Sequence, residues 1–377
     1  MKSKRIKYFS FRGCSDKGQI RSNSPAADSK LDYIIQTLNK IGYSVDMISM
    51  SYSATKKILP PYFKVEGDNT YRYFASFGKT NSIFRVASRW FMEIQFFIWC
   101  FFNIRRGEQI IVYHSLGYDS IFIKLKFLKK INIIGEIEEL YQDVSRQKPS
   151  KEHNEFRFLD ICDKYIFPSE LFEQNVNTKN KPSSVIYGVY ANENILENKF
   201  DDGKIHVVYG GTLDPNKGGA IAAINSAQYL TAKYHIHICG FGNYANTLNS
   251  IQSIQTKTEA TITFEGELKG NDYKRFIQKC HIGLSTQNPE ASFNDTSFPS
   301  KILVYLSNGL RVVSVRIPVI ESSLISECVT YYNLQDAKEL ALAIMSVDLN
   351  NTKKYKEVLE VLDNDFSNNL KYLISKR

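Results

Sequence analysis

The stretch NDTSFPSKILVYLSNGLRVVSV, residues 294–315, predicts a helix followed at once by a buried strand. Pro299 fits the first position of a helix, because its missing N–H has no partner to lose there. Apolar residues then recur at helical spacing, namely Ile302, Leu303, Tyr305 and Leu306. Asn308-Gly309 is a signal for a helix end, and RVVSV restarts the chain as a short strand.

Lys301 lies in the first turn of this predicted helix. A cation at that position opposes the helix dipole, whose positive end favours an anion. A lysine beside free N–H groups is explained if a phosphate group occupies the helix start. The alternative is a solvated surface lysine, and this stretch alone does not decide between the two.

Predicted strands and helices alternate along most of the chain. Strands over 6–11 and 43–49 flank a helix over 27–41, which makes a βαβ unit and implies a parallel sheet. The alternation continues to residue 187, and a second series starts at residue 205. The polar segment between the two series has no periodicity and is the predicted linker.

Length and composition favour a two-domain α/β protein. The chain has 377 residues, of which 43% are hydrophobic, so two cores can be built. We expect an N-terminal domain over 1–190, a C-terminal domain over 191–350, and a final helix over 351–377 that packs back towards the first domain. Six cysteines without a CxxC pair favour a reducing cytoplasm over a disulfide framework or a zinc site.

The net charge of +9 favours an anionic partner. No secretory signal peptide is expected at the start of the chain. The apolar run 90–104 is too short to span a bilayer. Basic residues flank this apolar run. The run and its flanks form either a membrane-surface patch or a buried helix with solvated basic ends. No recognition motif for nucleic acid accompanies the charge, so nucleic acid is not an expected partner.

Glycine-rich loops follow the strands of the second series. GGTLDPNKGG, residues 210–219, leads from a strand into a helix; its glycines permit close backbone approach and Lys217 can meet a phosphate. A flexible strand–helix loop is the alternative. GFGN at 240–243 and EGEL at 265–268 end the next two strands. Each of these loops is a weak signal alone.

Together, these loops and FPSKILVYLSNG resemble the second half of retaining glycosyltransferases of the GT-B fold, family 4 (group 1). The resemblance is close over 205–320 and looser over 1–190. It implies two Rossmann-like, doubly wound parallel-sheet domains facing a central cleft, with the nucleotide-sugar donor bound by the second. It also implies that Lys217 and the helix start at 298–301 hold the diphosphate, and it makes His114, Lys217 and Lys301 the expected catalytic residues.

The resemblance further implies a donor site around these loops. The expected donor-binding residues are Gly211, Thr212, Gly240, Gly242, Asn243, Glu267, Leu268, Asp295, Thr296, Ser297, Phe298, Pro299 and Ser300. Family members commonly carry arginine at the position of Thr212 and glutamates at the positions of Thr296 and Val304. Asp295 is the candidate replacement for the first glutamate, and Lys301 for the missing arginine charge.

Acceptor contacts are expected in the first domain. The loop 18–24 follows the first strand, and Arg21, Asn23 and Ser24 are candidates to contact acceptor or phosphate. Glu136 and Glu138 share a face by alternation and are candidate partners of acceptor hydroxyls. A cluster of acids at a helix start is the alternative for this pair.

His114 ends a predicted strand, where the family often places a histidine close to the donor sugar. A structural, hydrogen-bonded histidine is the alternative. His206, His235, His237 and His281 have no metal-ligand spacing. His235 and His237 alternate along a strand and are expected to be structural.

The sequence therefore predicts a metal-independent retaining glycosyltransferase without a cofactor. It would move a sugar from a UDP- or GDP-linked donor to a glycan or lipid-linked acceptor of a surface polysaccharide or glycoconjugate. The expected location is the cytoplasm, at the inner face of the plasma membrane. The alternatives are a catalytically silent homologue that acts as a binding subunit and a nucleotide-sugar epimerase.

Overall fold

A computed structural model gives the three-dimensional structure. The residues that it describes are 4–22, 24–78, 82–140, 152–191, 193–214, 218–290, 294, 297–334, 336–350 and 353–376. The chain forms two compact units. The first comprises Met1–Pro168, Phe172–Ile186 and Asp365–Arg377, and the second comprises Ser169–Leu171 and Tyr187–Asn364.

The first unit contains an eight-stranded sheet in the order β3-β4-β2-β1-β5-β6-β7-β8. Neighbouring strands are parallel except β3 and β4, which form an antiparallel pair at one edge. The strands are β1 Lys4–Ser10, β2 Tyr43–Ser49, β3 Tyr62–Glu66, β4 Asn69–Tyr73, β5 Gln109–Tyr113, β6 Asn132–Glu136, β7 Lys164–Phe167 and β8 Ser183–Val185.

Helices alternate with these strands, as crossover connections between parallel strands require. They are Pro25–Lys40, Ser82–Asn103, Asp119–Lys129, Glu152–Ile161 and Glu170–Val176. Aromatic rings fill the core on one side of the sheet, where Phe9 lies edge-on to Phe96 and Phe122 at centroid distances of 5.8 and 5.1 Å. The last turns of the C-terminal helix Lys353–Ser375 also belong to this unit, with Phe366 stacked on Tyr33.

The second unit contains a six-stranded, fully parallel sheet in the order β11-β10-β9-β12-β13-β14. The strands are β9 Ile205–Leu213, β10 Tyr234–Gly242, β11 Thr261–Gly266, β12 Ile282–Ser285, β13 Arg311–Val315 and β14 Val329–Tyr332. This is the Rossmann strand order, in which the chain reverses direction across the sheet between β9 and β12.

The helices of the second unit follow the strands in turn. They are Gly219–Ser226, Tyr244–Gln255, Gly270–Lys279, Lys301–Ser307, Pro318–Glu321, Ala337–Met345 and the start of Lys353–Ser375. In the described part of 188–203, the predicted linker, the structure has neither helix nor strand.

The stretch that opened the sequence analysis forms a helix and then a strand, as predicted. The helix begins at Lys301 rather than at Pro299 and ends at Ser307. Gly309 then adopts the left-handed conformation with φ +78°. The N–H of Leu310 donates to the carbonyl of Tyr305 at 3.0 Å, which satisfies a carbonyl left open by the helix end.

Two features around the first sheet were not predicted, namely the helix Glu170–Val176 and the hairpin of β3 and β4. The hairpin lies within residues 51–80 and turns at Gly67 with φ +58°. Its strands are five residues each and lie at the sheet edge, so their periodic signal is short. Among the helices described, none has the length and apolarity needed to cross a membrane.

Candidate functional site

The second sheet places its glycine-rich loops together at the carboxyl ends of β9 and β10. In open parallel sheets, this edge near the strand reversal is where ligands bind. Leu213 ends β9 and Gly242 ends β10, and the two residues are paired in register. The loops predicted from sequence therefore lie at the edge of the sheet that is expected to be functional.

The backbones of these two strands approach each other too closely for side chains. A Cβ atom added at Gly240 would lie 1.8 Å from the carbonyl oxygen of Gly211, and φ at Gly240 is +149°. A Cβ atom at Gly242 would lie 2.9 Å from the carbonyl oxygen of Leu213. Glycine is thus required at Gly240 by the neighbouring strand itself, whether or not a ligand binds.

Lys301 lies beside the same strand. Its ammonium group sits over the ring of Tyr209, 4.5 Å from the ring centroid, in a cation–π contact. The Nζ atom is 3.0 Å from the position that a Cβ atom of Gly211 would take. The side chain is half-buried, so Lys301 brings a fixed positive charge to the end of β9 instead of extending into bulk solvent.

Three tyrosines support this edge from within the unit. The Tyr305 hydroxyl accepts a hydrogen bond of 2.9 Å from the N–H of Gly210, and it is also hydrogen-bonded to Tyr273. The Tyr209 hydroxyl donates to the carbonyl of Thr212 at 3.1 Å. Burial raises the pKa of all three hydroxyls, so they stay protonated and act as hydrogen-bonding groups. Sequence analysis assigned Tyr305 only to the apolar helix face.

The approach to the helix Lys301–Ser307 is fixed by an aromatic stack. Phe298 is buried, and its ring stacks on that of Tyr187 at a centroid distance of 4.8 Å. Tyr187 in turn donates to a carboxylate oxygen of Glu170 at 2.5 Å. Of the other expected donor residues here, Ser297 and Pro299 are half-buried and Ser300 is exposed.

The remaining donor candidates have varied surroundings. The Asn243 side chain accepts from the N–H of Asn246 at 3.0 Å and so caps the helix Tyr244–Gln255. Glu267 is exposed and forms a 3.1 Å ion pair with Lys269, and Leu268 is half-buried. Val304, at a position where the resembled family carries glutamate, is half-buried in the helix. Lys217, Asp295 and Thr296 lie outside the described residues.

In the first unit, His114 directly follows β5 and is almost fully buried. Its Nε2 atom lies 3.7 Å from a carboxylate oxygen of Asp119 and 3.5 Å from one of Glu155. The ring stacks on Phe158 at a centroid distance of 5.7 Å. Sequence analysis did not find Asp119 and Glu155, because they come from two different helices and share no motif with His114.

Burial suppresses charge in this group. It lowers the pKa of His114 to about 4, although a hydrogen bond to the backbone of Glu139 opposes the shift. Burial and the negative charge of Glu155 raise the pKa of Asp119 to about 8. At neutral pH, His114 is therefore neutral and Asp119 is protonated, so the two do not form an ion pair.

Glu136 ends β6 and is buried, as expected for a residue at the carboxyl edge of the sheet. The hydroxyl of Tyr8 donates to its carboxylate. Burial, with the charge of Glu138 adding to it, raises the pKa of Glu136 to about 7. Glu138 is half-buried and pairs with Lys30. The pair is thus anchored by partners on β1 and on the helix Pro25–Lys40, unlike a solvated cluster of acids.

Arg21 has an internal role in its loop. Its guanidinium donates to Gln19 Oε1 at 2.9 Å, to the carbonyl of Ser51 at 2.9 Å and to that of Pro60 at 3.1 Å. These bonds favour a structural role over the predicted contact with acceptor or phosphate. Ser24 is exposed at the start of the helix Pro25–Lys40, and Asn23 lies outside the described residues.

The helix Ser82–Asn103 has one buried face and one exposed apolar face. Met92, Phe96 and Cys100 are fully buried. Exposed apolar side chains recur every four residues, namely Val86, Trp90, Ile94, Ile98 and Phe102. On the next helix, Phe127 is 86% exposed, and Arg105, Arg106, Lys124 and Lys130 are exposed nearby in sequence. The sequence allowed either a membrane-surface patch or a buried helix at residues 90–104. The helix combines the two, because one of its faces is buried and the other is exposed and apolar.

Comparisons with known proteins rest on structure. No protein-family model matches the sequence, and no curated protein is significantly similar to it. A structure of OtsA without ligands matches with a TM-score of 0.68 and 11% identity, covering 99% of this chain and 98% of that one.

Two further matches carry ligands. An E. coli trehalose-6-phosphate structure bound with UDP-2-fluoro glucose has a TM-score of 0.64 and 12% identity, covering 98% of each chain. An α,α-trehalose-phosphate synthase (UDP-forming) from Burkholderia xenovorans, in complex with glucose-6-phosphate, has a TM-score of 0.62 and 9% identity, covering 99% of each chain. At these identities the comparisons establish the fold alone: two parallel-sheet α/β units of the GT-B type.

Proposed function

We propose that this chain is a retaining glycosyltransferase that uses a nucleotide-sugar donor. The observation that carries the proposal is the half-buried ammonium of Lys301, held over Tyr209 and beside Gly211 at the carboxyl end of β9. This is the position in a Rossmann sheet where a nucleotide diphosphate binds. The GT-B fold supports the assignment by analogy.

The chemistry of glycosyl transfer gives this ammonium its role. Breaking the bond between sugar and diphosphate places negative charge on the leaving oxygen. A positive group already held in place stabilises that charge without reorganisation in the transition state. Lys301 is such a group, and Lys217 is the second proposed cation. No dedicated nucleophile is assigned, so we propose attack of the acceptor on the face that the diphosphate leaves.

Neighbouring structures suggest the first substrates to test. One is bound with UDP-2-fluoro glucose and another with glucose-6-phosphate. UDP-glucose is therefore the first donor to test, and a sugar phosphate is the first acceptor. The sequence resemblance to family 4 favours a glycan or lipid-linked acceptor of surface polysaccharide synthesis instead. We keep both acceptor classes in the proposal, and turnover assays separate them.

Groups of the first unit are proposed to serve the acceptor and the sugar. Glu136 is a carboxyl group whose pKa lies near 7, within the range useful to a general base at neutral pH. His114 is neutral and already hydrogen-bonded to the backbone of Glu139, so only its other ring nitrogen can share a hydrogen bond with a sugar hydroxyl. These roles are specific to sugar transfer and are tested by replacing each residue separately.

The exposed apolar face of the helix Ser82–Asn103 supports contact with a membrane surface. Apolar side chains flanked by lysine and arginine are typical of surfaces that bind anionic lipids. We expect the protein to sediment with vesicles that contain anionic lipid, and replacing Trp90 and Ile98 by serine to abolish this. Phe63→Ser, at an exposed apolar residue on β3, is the matched control.

A panel of UDP- and GDP-sugars, each with and without a sugar phosphate or a lipid-linked acceptor, tests the function. Acceptor-dependent release of nucleoside diphosphate is the expected result. A donor isomerised without acceptor would support the epimerase. Donor binding without turnover for any pair would support a silent binding subunit, which the loss of glutamate at Val304 keeps as the second candidate.

A further inference from the structure

A cluster of histidines lies at the opposite end of the second sheet. His206 is near the start of β9, and His235 and His237 are near the start of β10. His206 and His235 are paired in register, and His235 and His237 alternate onto the same face. Ring atoms of the three residues that can bind a metal all lie within 4.8 Å of one another. The sequence analysis missed this cluster, because its members come from two strands.

Two of these rings belong to a continuous chain of contacts. Asp202 Oδ1 lies 2.9 Å from His206 Nε2, His206 Nδ1 lies 2.8 Å from His237 Nε2, and His237 Nδ1 lies 2.8 Å from Glu265 Oε1. Each of these distances is that of a hydrogen bond. The chain therefore runs carboxylate, imidazole, imidazole, carboxylate.

With both imidazoles neutral and both carboxylates ionised, this series of contacts has one hydrogen too few. Each of its three contacts needs a hydrogen, and two neutral imidazoles carry one hydrogen each. If both rings donate to their carboxylates, the two inner nitrogens face each other at 2.8 Å with lone pairs only. A cation between them removes the repulsion. It is either an added proton or a metal ion.

The surroundings favour a metal ion over a proton. A third imidazole lies close by, because the ring of His235 stacks on that of His237 at a centroid distance of 4.0 Å. His235 Nε2 lies 3.1 Å from Thr263 Oγ1, which leaves Nδ1 with its lone pair. A carboxylate on the outer nitrogen is the usual support of a metal-bound histidine.

We propose that His206, His235 and His237 form a binding site for a divalent transition metal, of which Zn²⁺ is the best match. Three neutral imidazoles are a typical ligand set for zinc, with water in the fourth position. Zinc–nitrogen bonds of about 2.0–2.1 Å require ligand nitrogens about 3.3 Å apart, so the inner pair must separate slightly. The ring of His235 must also turn out of its stack.

The site joins β9 to β10, and through Glu265 it is linked to β11. It lies at the amino ends of these strands, whereas the proposed donor edge lies at their carboxyl ends. We therefore assign it a stabilising role, independent of sugar transfer. Its test can fail or succeed whatever the outcome of the donor assays.

Calorimetric titration of the metal-free full chain with ZnCl₂ tests the site, together with the visible spectrum of the Co²⁺ form. We expect one ion per chain, an intense tetrahedral Co²⁺ spectrum and a rise in Tm with Zn²⁺ concentration. His235→Gln should weaken binding at least tenfold. Asp202→Asn, at an exposed residue, should weaken it by about tenfold to a hundredfold through the outer nitrogen of His206.

His281→Asn is the matched control. His281 Nδ1 accepts from the backbone N–H of His206 at 3.0 Å, and an asparagine oxygen can keep that bond. Its zinc affinity should equal that of the wild type. The proposal is overturned if the wild type binds no Zn²⁺ stoichiometrically, or if His281→Asn weakens binding as much as His235→Gln does. Circular dichroism of the metal-free variants separates lost binding from lost folding.

Discussion

The carboxyl ends of the two parallel sheets are built from different chemistry. In the first sheet, buried titratable groups follow the strands, with His114 after β5 and Glu136 at the end of β6. In the second sheet, the same edge is formed by glycine backbones of β9 and β10 and by the ammonium of Lys301. The same end of the strands thus carries buried groups with shifted pKa values in the first unit, and glycine backbone with a lysine ammonium in the second.

This difference matches the two demands of the proposed glycosyl transfer. An acceptor hydroxyl needs a group that can take up or share a proton. Glu136, whose pKa burial raises to about 7, is such a group, whereas burial keeps His114 neutral. A leaving diphosphate needs positive charge and N–H groups that do not titrate. The carboxyl ends of the two sheets are therefore tested differently: the second by changes in backbone packing, and the first by the dependence of stability on pH.

The largest effect is expected at Gly240 in the second unit. Gly240→Ala places a Cβ atom 1.8 Å from the carbonyl oxygen of Gly211, so the pairing of β9 and β10 must shift. We expect a loss of about 3 kcal/mol or more in the free energy of unfolding, measured in urea. Gly266→Ala is the control, since φ is +72° there but nothing lies within 4 Å.

For Gly266→Ala only the cost of a left-handed alanine is expected, about 1 kcal/mol. Equal losses at Gly240 and Gly266 would mean that close backbone approach does not shape this edge.

The next effect concerns charge suppression in the first unit. The pKa of Asp119 is raised to about 8 in the folded state, so between its unfolded value and pH 8 the folded state holds a proton that the unfolded state has lost. Stability is thus lost as the pH rises through this window. Relative to Asp119→Asn, which cannot titrate, the wild type should lose about 2 kcal/mol between pH 6.5 and 8.

Urea unfolding of both proteins at several pH values measures this difference, and titratable groups distant from Asp119 cancel. At about pH 6.5, His114 is half-protonated in the unfolded state and neutral in the folded state, where its pKa is about 4. This adds a small rise in stability with pH that is common to both proteins. Parallel stability curves for the wild type and Asp119→Asn would show that Asp119 is ionised like a surface carboxylate.

A smaller effect separates folding from binding at Asn243. Its side chain caps the helix Tyr244–Gln255, so Asn243→Ala should cost about 1 kcal/mol of stability. Asn243→Ser keeps a capping oxygen and should recover most of that loss. If Asn243→Ala instead leaves stability intact and weakens donor binding, the residue belongs to the ligand site, as its sequence position suggested.

Local signals were enough to predict most of the fold. Strands such as β2 at Tyr43–Ser49 and β12 at Ile282–Ser285 are short apolar runs bounded by glycine, polar residues or helices, which sequence periodicity detects. The edge hairpin β3–β4 was not predicted, because its residues are mixed in polarity and each of its strands is only five residues long. Its pairing depends on tertiary position rather than on local pattern.

The candidate sites divide in the same way. Lys301 and Glu136 could be proposed from sequence, because each is tied to the end of one helix or strand. Asp119 and Glu155 could not, since they meet His114 only after two helices are placed. Tyr305 was assigned to the core by its apolar spacing, and only the fold reveals that its hydroxyl bonds Gly210.

Lys301 is proposed to help hold a nucleotide diphosphate at the carboxyl end of β9. Calorimetric titration with UDP, and with GDP as a second probe, tests it in the wild type, Lys301→Ala, Lys301→Arg and the exposed control Lys257→Ala. We predict that Lys301→Ala weakens binding at least tenfold, about 1.4 kcal/mol, while Lys301→Arg retains most of the affinity and Lys257→Ala all of it. The same Kd for the wild type and Lys301→Ala would show that the Lys301 ammonium does not bind the diphosphate.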